Sequence, residues 1–136
     1  MLGIMVDSTL QTAVSALRAA AVRANTTANN IANARTVGTP GSTDPATRAF
    51  QPQDVVQSSL ATGGTVARTV NRQPGSSPAF DPNNTLANAQ GFVDAPNVDL
   101  ASELVEFKAA EAGFKAAAAL IRAEDEKTES LLDIKS

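Results

Sequence analysis

The run LQTAVSALRAAAVRANTTANNI, residues 10–31, contains neither proline nor glycine and spaces its apolar side chains as a helix would. Leu10, Val14, Leu17, Ala21, Ala24, Ala28 and Ile31 are separated by alternating steps of four and three, the period of about 3.5 residues that marks a coiled-coil seam. Ser8 followed three residues later by Gln11 reads as a capping box, and Asp7 adds negative charge at the same end. A helix is therefore expected over about 8–33. Asn29, Asn30 and Asn33 then appear where alanine could have continued it, followed by Thr36, Val37 and Gly38. Asparagine competes with the helix by bonding to nearby backbone, so with Gly38 these residues mark where the helix stops or turns.

A second apolar period stands at the other end of the chain. Leu100, Leu104, Phe107, Phe114, Ala118, Ile121 and Leu132 follow the same steps, with Glu111, Asp125 and Thr128 as polar interruptions. Asp99 is a good N-cap and Glu103 lies in the first turn, where the helix dipole favours a carboxylate. A helix from about 99 to 132 follows. Gly113 in its middle costs about 1 kcal/mol relative to alanine unless it admits another backbone.

All seven prolines fall between residues 40 and 96. The chain thus divides into an N-terminal helix with its motif (1–38), a turn-rich middle (39–95) and a C-terminal helix (96–136). Within the middle, 48–59 and 65–73 carry β-branched residues on either side of LATGG, and Gly63-Gly64 supplies positive φ cheaply, which predicts a hairpin. Residues 74–91, PGSSPAFDPNNTLANAQG, read as loop by composition. The expected fold is mainly α: long N- and C-terminal helices paired as a coiled coil, with a small β-hairpin and loop region between.

Composition narrows the function. With five Phe, no Trp and no Tyr among 136 residues, the large side chains that dominate core energetics are few. Alanine seams pack at short distance, and many copies side by side supply what two helices lack, so the chain reads as a subunit that orders its termini by assembling. A net charge of -3 gives no footprint for nucleic acid. The absence of cysteine and histidine removes thiolate nucleophiles, the usual general base and the common zinc ligands. ATGGT at 61–65 lacks the lysine and the strand-to-helix setting of a phosphate loop. The run RAEDEKTES spreads Glu124, Asp125, Glu126 and Glu129 over several helix faces, as a solvated or intersubunit surface does, not a metal site. No enzyme, cofactor, metal or small-molecule substrate is expected. MLGIMV has no basic n-region and is too short for a secretory leader, and no apolar run approaches membrane-spanning length, so any export is expected without a cleavable signal.

SALRAAAVRANTTANNIANARTVG, with its Asn-Asn-Ile-Ala-Asn core, resembles the N-terminal signature of bacterial flagellar axial proteins. LANAQGFVDAPNVDLASELVEFKAAEAGFKAAAALIRAEDEKTESLLDI is similar to their C-terminal signature, in which a Gln-Gly-aromatic-Val run leads through Pro-Asn-Val-Asp into the terminal helix. The two stretches cover roughly the first 38 and last 50 residues, and the short middle is similar to that of the C-type proximal rod subunits of the basal body. Thr39 stands where the family commonly has an aromatic residue after the glycine.

The resemblance implies a structural subunit of the basal-body rod, exported through the flagellum-specific type III apparatus. Such subunits polymerise through paired terminal helices into the periplasmic, torque-transmitting shaft, beside copies of themselves and other rod proteins. The residues expected to carry subunit contacts are Leu10, Val14, Leu17, Ile31, Leu100, Leu104, Phe107, Phe114, Ile121 and Leu132. Asn29 and Asn30, which flank Ile31, are added as polar register contacts. For Asn33, contact between chains and simple helix termination stand as equal readings. The alternative from another class is a soluble α-helical adaptor or secretion-associated binding module.

Overall fold

The structure, a computed structural model, describes residues 2–135, with side chains from Ser8 onward. Its element order is α1 (Leu2–Ala32), β1 (Gln53–Ser59), β2 (Thr65–Asn71), β3 (Ser76–Phe80), β4 (Phe92–Pro96) and α2 (Leu100–Lys135). Two long helices thus flank two antiparallel hairpins, β1 with β2 and β3 with β4.

Both helices are longer than the sequence implies. α1 already runs from Leu2, so Ser8 and Gln11 lie inside it and form no capping box at its start; the Asp7 side chain lies outside the described residues. At the other end Asn33 closes the helix: its N–H donates to Asn29 O at 3.1 Å, and its own carbonyl receives the Thr36 N–H at 3.0 Å. Asp99 caps α2 as expected, its Oδ1 accepting the Ala101 N–H at 3.1 Å and its Oδ2 the Ser102 hydroxyl at 2.7 Å.

The bond from Ser102, and after it the one from Ala101, holds the Asp99 carboxyl below its ordinary pKa. A carboxylate depressed in the folded state stabilises above its unfolded pKa and loses that contribution as pH falls through the folded one. Acidification below the ordinary aspartate range is therefore expected to fray the first turn of α2. Faster amide exchange at Ala101 and Ser102, absent from an Asp99→Ala variant that is frayed at every pH, would measure it.

α1 and α2 pack antiparallel: Asn30 meets Glu103, Arg23 pairs with Glu106 at 2.6 Å, and Gly113 lies against Ala20. The buried side of α2 repeats every seven residues, at Glu103, Ala110, Ala117 and Glu124. The facing stripe of α1 runs through Ala13, Ala20, Thr27 and Asn30. Both seams stand one position before those expected. Phe107 and Ile121 remain at the margin, half-buried, whereas Leu100, Leu104, Phe114 and Leu132 are exposed. The physical reason is size: alanines facing alanines let two backbones approach closely, and leucines in those places would hold them apart.

A β-carbon at Gly113 would touch Ala20 at an ordinary 3.8 Å. The glycine is not sterically required, and Gly113→Ala is expected to stabilise the chain by about 1 kcal/mol through helix propensity. A raised urea midpoint checks this.

β1 and β2 form the expected hairpin around Gly63 and Gly64, both at positive φ, with Gln53 opposite Asn71 and Ser59 opposite Thr65. This hairpin lies along α1, with Gly63 and Gly64 beside Thr12 and Ser15, whose hydroxyl accepts the Thr65 N–H at 3.1 Å. The segment read as loop over 74–91 contains a strand instead, for Ser76–Phe80 pairs with Phe92–Pro96. Pro78 has no N–H to offer, but it sits opposite Asp94, whose own backbone turns the other way and exchanges both bonds with Gly38 at 2.9 and 2.8 Å. Tertiary pairing overrides a composition poor in strand formers.

Candidate assembly surface and the polar clamp behind it

Two features dominate the surface side of this fold: an internal knot of polar side chains that fixes the hairpin to the helix pair, and an apolar helix face left open.

The knot is centred on Glu103, whose side chain is 6% exposed. Its carboxylate accepts from Arg72 Nη2 at 2.7 Å and from Asn30 Nδ2 at 3.2 and 3.3 Å. Asn30 is itself buried and treats the start of β1 as a partner strand, donating to Gln53 O at 2.8 Å and accepting the Gln53 N–H at 3.0 Å. Arg72, just beyond β2, adds Asp54 through Nε and Nη2 at 2.9 and 2.8 Å, and Asn97 O through Nη1 at 2.8 Å. The Asp54 bond, then the Glu103 bond, outweigh partial burial and raise the guanidinium pKa above its ordinary value. The two ion pairs of Arg72, its bond to the Asn97 carbonyl and the amide of Asn30 therefore join α1, β1, the end of β2, the approach to α2 and α2 itself. No buried side-chain polar atom among the described residues lacks a partner.

Asn30 thus spends its polar groups inside the subunit. Asn29, one position away, is exposed and receives the Asn33 amide on its backbone O and Oδ1, both at 3.0 Å. Leu10, Val14, Leu17 and Ile31 are half-buried along α1. Sequence reasoning missed Arg72, Asp54 and Gln53. The available signal was an acid, Glu103, beside the leucine stripe of α2, one position before Leu104; its basic partner came from a hairpin whose pairing no periodicity specifies.

Gly38 completes the internal wiring. A β-carbon there would run into the backbone of Arg48 and Ala49, so the residue is glycine because a chain crosses it closely. It has no positive φ and lies six residues past the helix, so its role is the bridge to Asp94, not the stop itself. Through Gly38–Asp94 and Asn30–Glu103 the N-terminal and C-terminal motifs of the chain meet.

The open face lies on α2. Leu100, Leu104, Val105, Leu120, Leu131, Leu132 and Ile134 are all exposed, and Val105 reaches 71% and Ile134 80%. Isolated leucines on a surface need no explanation, but Leu100, Leu104 and Leu132 share one stripe with exposed Phe114 by helical period and mark an interaction surface, whereas Val105, Leu120, Leu131 and Ile134 stand on other sides of the helix. Among the described residues no group of acids, histidines or cysteines is arranged to hold a metal, and no helix is long and apolar enough to cross a membrane.

The family model described as Flagella basal body rod protein matches residues 10–38, the span from the α1 seam through the Gly38 bridge. The chain is 35% identical over 108 residues to the flagellar basal-body rod protein FlgC of Escherichia coli O6:H1, covering 75% of this chain and 77% of the relative. It is equally similar to FlgC of Salmonella typhimurium strain LT2, with the same coverage, and 35% identical over 103 residues to that of Yersinia enterocolitica. A helix pair clamped internally, with an apolar face turned outward and relatives of this identity over three quarters of the chain, belongs to the flagellar basal-body rod protein family, on the FlgC branch.

Proposed function

We infer that this structural rod subunit works at the flagellar basal body by polymerising through its terminal helices, beside copies of itself and other rod proteins, as part of the periplasmic proximal rod. It reaches that place through the flagellum's own export apparatus. The observation that carries this reading is the exposed leucine row of α2. The α1–α2 pairing is satisfied by small residues within the subunit, which leaves Leu100, Leu104, Phe114 and Leu132 free for neighbours. A coiled-coil geometry for the helix pair, and contacts to neighbouring chains by Leu10, Val14, Leu17, Asn29, Ile31, Asn33, Phe107 and Ile121 at the margins of that pair, belong to the same reading. Asn30 contributes by holding the hairpin in place rather than by touching a neighbour.

Leu104→Asp separates the two roles. Leu104 is 53% exposed, so the isolated chain is expected to keep its helical circular dichroism and its melting temperature within a few degrees. In cells lacking the native subunit the variant is expected to yield no complete rods by electron microscopy and no swimming. Normal basal bodies would sink this reading and favour the monomeric adaptor.

A further inference from the structure

Charge is divided unevenly between the two helices. From Ser8 to Gly38 the chain carries Arg18, Arg23 and Arg35 and no acid, whereas after Ala123 the acids Glu124, Asp125, Glu126, Glu129 and Asp133 outnumber Lys127 and Lys135. Arg23 is spent within the subunit, on Glu106 of α2 at 2.6 Å. Arg18 is exposed and has no ion pair among the described residues, and the same holds for Asp125 and Glu129. Each of these charges belongs to an apolar stripe. Arg18 follows Val14 by four residues and precedes Ala21 by three, the spacing of neighbours on a helix surface, so it borders the stripe of Leu10, Val14, Leu17 and Ala21. On α2 the steps from Ile121 to Asp125, Glu129 and Leu132 are four, four and three, which sets both carboxylates on the side of Ile121 and Leu132, and of Phe114 one heptad before Ile121. Arg122 and Glu126 border that stripe with one charge of each sign, so its net charge stays negative while that of the α1 stripe is positive.

One chain cannot close this contact on itself. Ala20 lies against Gly113 and Asn30 against Glu103, so the antiparallel register sets Arg18 level with Lys115, whose neighbour Glu111 is already held by Lys108 and Lys115. At a rise of about 1.5 Å per residue, the midpoint between Asp125 and Glu129 stands about 18 Å further along the axis, beyond the reach of an arginine side chain. A second copy lying parallel and shifted by that distance brings its α2 carboxylates to either side of Arg18. The same shift sets Ile31 of the first copy level with Phe114 of the second, and Ala24 level with Ile121. A single displacement therefore matches sign and apolar surface together.

We propose that the α1 stripe of one copy, with Arg18 at its border, docks on the α2 stripe of a second copy between Phe114 and Leu132, the two copies parallel and staggered by about 18 Å along the helix axis. The two stripes are different surfaces, so the contact is heterologous: it leaves one α1 stripe and one α2 stripe unoccupied at every step and adds subunits without closing a two-fold pair. This contact rests on the rod-subunit reading, which it deepens by naming a second copy as the neighbour and fixing its register.

The chain has no cysteine, so single cysteines report cleanly. Asn25, Lys108 and Arg122 are all exposed; Lys108 is near the level of Asn25 in an unshifted neighbour, and Arg122 near its level in the staggered one. Full-length Asn25→Cys and Arg122→Cys proteins, mixed and treated with a short bis-maleimide, are expected to give a mixed cross-linked dimer several-fold above either homotypic product and above the mixture of Asn25→Cys with Lys108→Cys. By sedimentation, Arg18→Glu and the double change Asp125→Lys with Glu129→Lys should each weaken self-association about tenfold, and one chain carrying all three reversals should regain it. Unchanged far-ultraviolet dichroism checks that every variant is folded. A dominant product with Lys108→Cys would show an unshifted contact, and a dominant homotypic product a two-fold one; either overturns the proposal. So would a chain that stays monomeric with no mixed product, or a triple reversal that associates no better than Arg18→Glu. Cells in which Arg18→Glu builds normal rods while Leu104→Asp does not would sink the staggered contact and leave the rod reading standing.

Discussion

Glu103→Ala is expected to lower the unfolding free energy of the chain by about 3 kcal/mol, the lower end of what removing one partner from a buried pair costs. The size follows from what is left behind. Arg72 keeps Asp54 and the Asn97 carbonyl, but it loses its buried counter-charge at 2.7 Å, and Asn30 loses the acceptor on one side of its amide. Asp54→Ala breaks a bond of similar length and is expected to cost well under 1 kcal/mol, because that carboxylate is 49% exposed and water replaces the loss. Urea unfolding of both variants tests the ranking. Equal costs would mean that Glu103 is solvated and the clamp is ornamental.

The Glu103 loss should also be local in a way that a cavity is not. The clamp joins the base of the β1–β2 hairpin to the start of α2, whereas the hairpin's far end is held by Ser15. Amide exchange in Glu103→Ala should therefore accelerate first at Gln53 and Arg72, whose N–H groups bond to Asn30 Oδ1 and Pro52 O. The turn at 60–64 should follow only with global unfolding.

Helix positions, the Asp99 cap and the Gly63-Gly64 hairpin were legible in the sequence because each has a local cause: period, side-chain capping, and cheap positive φ. The seam was legible only in part. Two heptad frames overlap on each helix, and they share Phe107, Phe114 and Ile121 on α2. The choice between Leu104 and Glu103 as the companion position cannot be made by hydrophobicity, which favours leucine. It is made by the distance between backbones, and that depends on what α1 presents at Ala13 and Ala20. Glu103 and Asn30 are buried against their polarity because they satisfy one another and the hairpin, a tertiary fact no window of sequence contains. β3 escaped notice for the same reason, since SSPAF becomes a strand only where β4, itself pinned by Gly38, lies beside it.

Ala110→Leu tests the close approach of the helices directly. Ala110 has no exposed surface. Three added carbons have no cavity to enter, and the residue sits one turn from the Arg23–Glu106 pair and three residues from the point where Gly113 meets Ala20. The leucine must either adopt a strained rotamer or push α1 away, and either course is expected to cost about 3 kcal/mol, the upper part of the range for overpacking. The same side chain is harmless six residues earlier: Leu104 already stands exposed, and Leu104→Ala should change stability by no more than about 0.5 kcal/mol. The pair of variants therefore inverts the expectation from hydrophobicity alone, under which more leucine on the helix strengthens the bundle and less weakens it. In urea the midpoint of Ala110→Leu should fall with an unchanged slope, since the surface exposed on unfolding is the same. A loss under about 1 kcal/mol would show that the helices do not lie at alanine distance. In that case the seam would pass through the leucines after all, and the row on α2 would be core rather than a face kept for neighbouring subunits.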